Sequence, residues 1–157
     1  MKPLLEARDV RQRLPHRYPI LLVDRILEIV EGKRIVGLKN FTVSEPFFQG
    51  HFPENPIVPG TILIEAMAQV GGIFVAESEP GNHGKIIYLA GLDEVRFRRP
   101  VLPGDQVIFE LELMRRRKDV WKVKGVAKVG GQVVMEAVIM AAVRAPAKRR
   151  EEDGEKR

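Results

Sequence analysis

Apolar and polar positions follow two periods along the chain, and their order predicts its elements. From Asp105 to Arg116 the two kinds alternate (VIFELELMR), the period-two pattern of a strand with one buried face. Val120–Val129 and Gln132–Val143 flank Gly130-Gly131, a two-residue turn signal that makes them a hairpin. Residues 85–99 (within KIIYLAGLDEVRFRRP) are a further strand, with Gly91 marking a bulge. Upstream, ILLVDRILEIV (20–30) and RIVGLKNFTVS (34–44) predict a hairpin closed by Glu31-Gly32-Lys33. Leu5 to Leu14 reads as a short helix stopped by Pro15. The expected order is a hairpin, one long helix, then a long antiparallel meander. That is an α+β class, not alternating βαβ.

The long helix is Thr61 to Ser78, opened after Pro59 and stopped by Pro80-Gly81. Its apolar residues, from Ile62 and Leu63 through Met67 and Val70 to Phe74 and Ala76, point to every side of the axis. A helix apolar all round is enclosed, so the sheet is expected to wrap it. Thr61, Glu65 and Gln69 recur four apart and form one polar stripe on this cylinder. Before the helix runs PFFQGHFPENPIVPG, where Pro53, Pro56 and Pro59 at every third position favour a stiff, extended loop.

Length and composition narrow the class. The 157 residues suit one domain, and 45% apolar with 30% charged residues can build a core. The absence of cysteine excludes disulfide scaffolds, thiol nucleophiles and Cys-based metal sites. His16, His51 and His83 show no metal-ligand spacing, and no metal is expected. MKPLLEARDV lacks the apolar core of a signal peptide, and the apolar stretch 62–76 is too short to span a bilayer. A soluble, cytoplasmic protein without membrane insertion is expected. Of the net charge of +5, six basic and four acidic residues after Val143 place +2 in a charged, disordered tail. The domain is therefore expected over 1–145 and the tail over 146–157. Aromatics are only 6% and do not interleave with basic residues, so nucleic acid is not the expected partner. An acidic protein fits the clusters Arg96, Arg98, Arg99 and Arg115–Lys118 at least as well.

Two residues carry candidate chemistry. Glu65 lies on an otherwise oily helix. If buried, it would favour the protonated acid that a general acid requires; otherwise the stripe is simply the helix's wet side. Gln69, one turn on, can hold the Glu65 rotamer. His51 stands in GHFP beside Phe47, Phe48 and Phe52, with Gly50 permitting close approach. In a dry pocket its imidazole is a competent base; as a lone loop histidine it could equally be surface or satisfied core. Histidine with a carboxylate, and no cysteine, suits proton abstraction and return better than covalent catalysis. The free N–H groups at Gly60, where the helix starts, could hold a developing oxyanion, or be an ordinary helix start. His16 and His83 read as solvent or core.

GHFPENPIVPGTILIEAMAQVGG (50–72) resembles the signature of the β-hydroxyacyl-acyl-carrier-protein dehydratases of type II fatty acid synthesis. LPHRYPILLVDRI (14–26) and YLAGLDEVRFRRPVLPGD (88–105) agree, so the resemblance runs from about Leu14 to Val143. It implies a hotdog fold, an antiparallel sheet wrapped round one helix. It also implies dehydration of a (3R)-3-hydroxyacyl thioester on acyl carrier protein to the trans-2-enoyl thioester, without metal or organic cofactor. His51 would remove the C2 proton, Glu65 would assist departure of the C3 hydroxyl, and the Gly60 N–H would hold the thioester carbonyl. The dehydratase/isomerase branch carries Asp where this chain has Glu65. The resemblance therefore favours the dehydratase-only branch, including long-chain and hydroxymyristoyl substrates of lipid A synthesis. It further implies a homodimer whose sites take His from one chain and Glu from the other, and a trimer of such dimers as a homohexamer. The acyl tunnel would be lined by Met67, Phe74 and Phe52, where these do not simply pack the core. From their charge, Arg96, Arg98 and Arg99 are the expected docking residues for the carrier protein, or equally a solvated edge strand protected by charge. An acyl thioesterase and a non-catalytic acyl-binding module share the fold, but neither calls for an acid and a base together.

Overall fold

The computed structural model describes residues 3–146; the charged tail expected over 146–157 falls, from residue 147 on, outside the described residues. The first hairpin forms as β1 (Arg25–Val30) and β2 (Arg34–Asn40), after the short helix α1 (Ala7–Arg13). Helix α2 (Gly60–Ser78) precedes the long strands β3 (Ile86–Phe97), β4 (Gln106–Arg117), β5 (Val120–Val129) and β6 (Gln132–Arg144). Gly130 and Gly131 both have positive φ, 56° and 79°, as a tight turn between right-twisted strands requires. The β3–β6 register slips between Leu89 and Gly91, the bulge expected at Gly91.

One sheet results, with all neighbours antiparallel and the order β1-β2-β4-β5-β6-β3. The fold is the expected α+β hotdog, but the simple meander is corrected in one respect. β3 pairs with β6 rather than with β4, and β4 adds to β2. The chain crosses the sheet over residues 98–105, which are pinned at both ends. The Arg98 N–H bonds the Val134 carbonyl, and the Phe41 N–H bonds the Asp105 carbonyl at 2.9 Å. Hydrophobic period assigns a strand but not its neighbour, so this pairing lay beyond the pattern.

α2 lies against the sheet, packing on β2 through β6. Two strands carry glycine where the helix comes close. A Cβ on Gly37 would lie 2.5 Å from a Val70 methyl carbon, and one on Gly125 would strike the Met67 thioether. From Ala66 to Ala76 every α2 residue except Ala68 is buried, so that stretch is enclosed on all sides. The first turns are not. Of Gly60 to Glu65 only Leu63 is buried, so the sheet wraps the later turns and leaves the first ones to some other cover. The 19-residue helix, with mean hydropathy 1.3, is also long and apolar enough to cross a membrane by length and composition. The expectation that the stretch is too short is thereby revised; the sheet around it explains its oiliness instead. At the far edge of the sheet, β3 has no buried residue along its whole length.

Candidate active site

His51 reaches its place through a folded loop rather than a straight one. Residues Pro46–Gln49 form a 3-10 turn whose end accepts the His51 N–H at the Phe47 carbonyl, 2.9 Å. The chain then doubles back. Phe52 and Asn55 exchange backbone hydrogen bonds, and the Ile57 N–H donates to the His51 carbonyl at 3.0 Å. The stiff extended loop expected from the prolines is thus corrected: Pro53 sits in a turn, and only residues 56–59 run on without turn or helix. Upstream, the buried Lys39 ammonium lies 2.8 Å from the Glu45 carboxylate, just before the 3-10 turn, and 5.5 Å from the Phe41 ring centroid. The sequence reading missed this anchor. A lysine following the apolar run 35–38, in a strand both of whose faces are covered, was its only signal.

The His51 Nδ1 lies 3.0 Å from the Ile57 carbonyl oxygen. A carbonyl only accepts, so Nδ1 carries the proton and Nε2 keeps a lone pair. Phe52 stacks on the imidazole with centroids 4.2 Å apart, yet is 50% exposed. His51 lines an open cleft of about 680 Å³ together with Gly60, Thr61, Phe97, Arg98 and Arg99. The bareness of Gly60 is used by its neighbour: a Cβ there would lie 2.7 Å from the Phe97 ring. Its N–H stands at the open N-terminus of α2, where the first intrahelical donors are Ile62 and Leu63 to the Pro59 carbonyl.

Glu65 lines a different cleft, of about 320 Å³, with Gln69, His16, His83 and Tyr88. Its side chain is 30% exposed, so of the two readings of the polar stripe the buried acid is not met within this chain alone. Gln69, only 2% exposed, is held on three sides. Its amide donates to Glu65 Oε1 at 2.8 Å and to the Ile20 carbonyl at 2.7 Å, and its Oε1 accepts the Leu22 N–H at 2.9 Å. The expected orienting role of Gln69 therefore has its geometry. His16, expected in solvent or core, stands with Nε2 3.4 Å from Glu65 Oε1. No sequence spacing links positions 16 and 65.

Within one chain Met67 and Phe74 take the core-packing role that was the alternative to the tunnel. Both are fully buried, Met67 under Gly125 and Phe74 edge-to-face with Trp121 at 6.0 Å, and neither lines either cleft. Enclosure by the sheet leaves them no cavity to face. Of the arginines, Arg98 and Arg99 border the His51 cleft, Arg98 paired with Glu136 at 2.9 Å. Arg96 does not border it and bonds its neighbour's carbonyl. Among the described residues no group of three His, Asp or Glu side chains is placed to hold a metal. Within one chain, then, His51 and Glu65 open into separate clefts.

Comparison with known proteins bears on what these clefts do. The model of the FabA-like domain matches residues 14–138. A 3-hydroxyacyl-[acyl-carrier-protein] dehydratase FabZ of Hydrogenobaculum sp. is 55% identical over 141 residues, 89% of this chain and 95% of that protein. The FabZ of Caldanaerobacter subterraneus is 54% identical over 87% of this chain and 96% of its own length. Among solved structures, the dehydratase heterocomplex ApeI:P of Xenorhabdus doucetiae superposes with a TM-score of 0.76 over 93% of each chain. At 18% identity that likeness concerns the fold alone.

Proposed function

The chain belongs to the FabA-like family, and from that premise we propose how its residues carry out 3-hydroxyacyl-[acyl-carrier-protein] dehydration in fatty acid synthesis. The site combines His51 of one protomer with Glu65 of a second. The observation that carries this reading is the separation of the two groups into different clefts of one chain. Acid and base must flank a single C2–C3 bond, so a second copy has to supply one of them. Two surfaces support the pairing. β3 is a sheet edge without a buried residue, and it carries Tyr88, Leu89, Leu92 and Phe97 exposed. Long apolar edges are ready templates for another strand. The uncovered first turns of α2 stand at the same end of the helix as both candidate groups.

The chemistry follows from the hydrogen bonds. With Nδ1 committed to the Ile57 carbonyl, His51 takes the C2 proton on Nε2. The charge that develops on the thioester oxygen is met by the N–H of Gly60. Glu65, in its acid form, gives a proton to the C3 hydroxyl; the C3–O bond breaks and water leaves with its electron pair. The electrons of the C2–H bond become the C2=C3 bond. Base and acid end with each other's protonation and are reset by solvent. Acyl carrier protein is the partner, docked on Arg98 and Arg99 at the rim of the His51 cleft, with Arg96 outside the docking surface.

Complementation tests the shared site. His51→Ala and Glu65→Gln proteins are expected to be nearly inactive alone on 3-hydroxyacyl carrier-protein thioesters. Mixed after reversible dissociation, they form heterodimers with one site intact and one doubly defective, restoring about a quarter of wild-type turnover. Failure of the mixture to regain activity, with heterodimers present, refutes the shared site. Release of free thiol without enoyl product would make the chain a thioesterase.

A further inference from the structure

Glu65 has a second neighbour that its own helix does not supply. The Nε2 of His16, on the segment that follows α1, stands 3.4 Å from Glu65 Oε1, the same oxygen that accepts the Gln69 amide. Among the described residues no hydrogen bond reaches Oε2. The His16 segment is itself tied down: Leu14 is buried, and the Arg17 guanidinium donates to the carbonyls of Leu14 and His16 at 2.7 and 2.6 Å. The other ring nitrogen, Nδ1, is buried with no hydrogen-bond partner among the described residues. A proton there would be an unmatched buried donor, which costs more than a bare acceptor nitrogen turned to apolar surroundings. The tautomer that fits carries its proton on Nε2, the ring nitrogen nearer Glu65, at a separation of 3.4 Å that is a polar contact and not yet a hydrogen bond.

We propose that His16 is a positioning residue for the acid: with Gln69 it holds Oε1 of Glu65 as an acceptor, so that the transferable proton rides on Oε2. The inference rests on the reading of Glu65 as the general acid. A carboxyl oxygen that accepts the Gln69 amide and has the His16 N–H beside it cannot also present its own hydrogen on that side, so the acid's hydrogen is confined to the other oxygen. The substrate hydroxyl then meets a proton on one defined atom instead of a freely exchanging pair. His16 keeps its own proton throughout and touches no reacting atom. Its effect is therefore on departure of the hydroxyl, not on removal of the C2 proton or on binding.

The test uses two substrates on the full chain in its native assembly. One is a 3-hydroxybutyryl carrier-protein thioester. The other is its 3-fluoro analogue, whose fluoride departs without needing a proton from the enzyme. His16→Ala is expected to slow kcat on the hydroxy substrate by about 10-fold or more, with KM changed less than about 2-fold. On the fluoro substrate it is expected to slow elimination by less than about 3-fold. His16→Gln restores an N–H donor at similar reach and is expected to recover most of the lost kcat. His16→Phe keeps the ring volume without the donor, so it gives the same reading should the alanine variant fail to fold. Equal slowing on both substrates, or no slowing on either, overturns the proposal. Full activity of Glu65→Gln would instead overturn the reading of Glu65 beneath it.

Discussion

Replacing Gln69 by leucine separates two roles that one amide performs. Leucine fills a similar volume, so the packing around position 69 is kept while three hydrogen bonds go. The Leu22 N–H loses its acceptor in a place where Leu22 itself is buried, and an unsatisfied buried donor costs about 1–3 kcal/mol. The Ile20 carbonyl belongs to a residue 41% exposed, so water can replace the lost amide there at little cost. Added burial of the leucine side chain offsets part of the loss, and a net destabilisation of about 2 kcal/mol remains. For a chain of this size that lowers Tm by about 4–8 °C. Glu65 meanwhile loses its 2.8 Å donor, and kcat is expected to fall by about 10-fold through loss of one oriented hydrogen bond. Thermal unfolding at fixed protein concentration reads the first effect, since assembly makes Tm concentration-dependent. Steady-state kinetics on a hydroxyacyl carrier-protein thioester reads the second. An unchanged Tm would refute the account of Gln69 as the tie between α2 and residues 20–22. An unchanged kcat would refute its hold on Glu65.

Two further outcomes follow from where the chain places its apolar groups. Phe74→Ala removes a fully buried ring packed on Trp121 and is expected to cost about 3–5 kcal/mol, while preference among acyl chain lengths stays as in the wild type. A shift in chain-length preference measured across carrier-protein substrates would put Phe74 back in the tunnel. The double substitution Leu89→Asp and Leu92→Asp sets charge along the open edge of β3, where both leucines are exposed. Sedimentation equilibrium is expected to show monomers without dehydratase turnover; an active monomer would sink the shared site.

Much of this architecture is legible in the chain because it depends on local period. The strands at 106–117, 120–129 and 132–144 are announced by alternation and by the Gly130-Gly131 turn, and α2 by its proline-bounded apolar run. The proposed chemistry is legible for a different reason. His51 in GHFP and Glu65 on an oily helix are residue types that burial or solvation alone does not call for, and their motif carries them. What the pattern left out involves residues far apart in sequence. The pairing of β3 with β6 depends on where residues 98–105 cross the sheet, and the meeting of His16 with Glu65 depends on how the segment after α1 lies along α2. Lys39 reads as a strand charge until Glu45 is brought to it.

By itself the sequence determined the elements, the enclosed helix and the two titratable groups, since each is written in spacings of a few residues. The tertiary structure alone decided that Met67 and Phe74 fill the core, that Gly60 makes room for the Phe97 ring, and that His51 and Glu65 open into different clefts. The physical reason is that periodicity fixes which face of an element is apolar, whereas only the packing of distant segments fixes what that face meets.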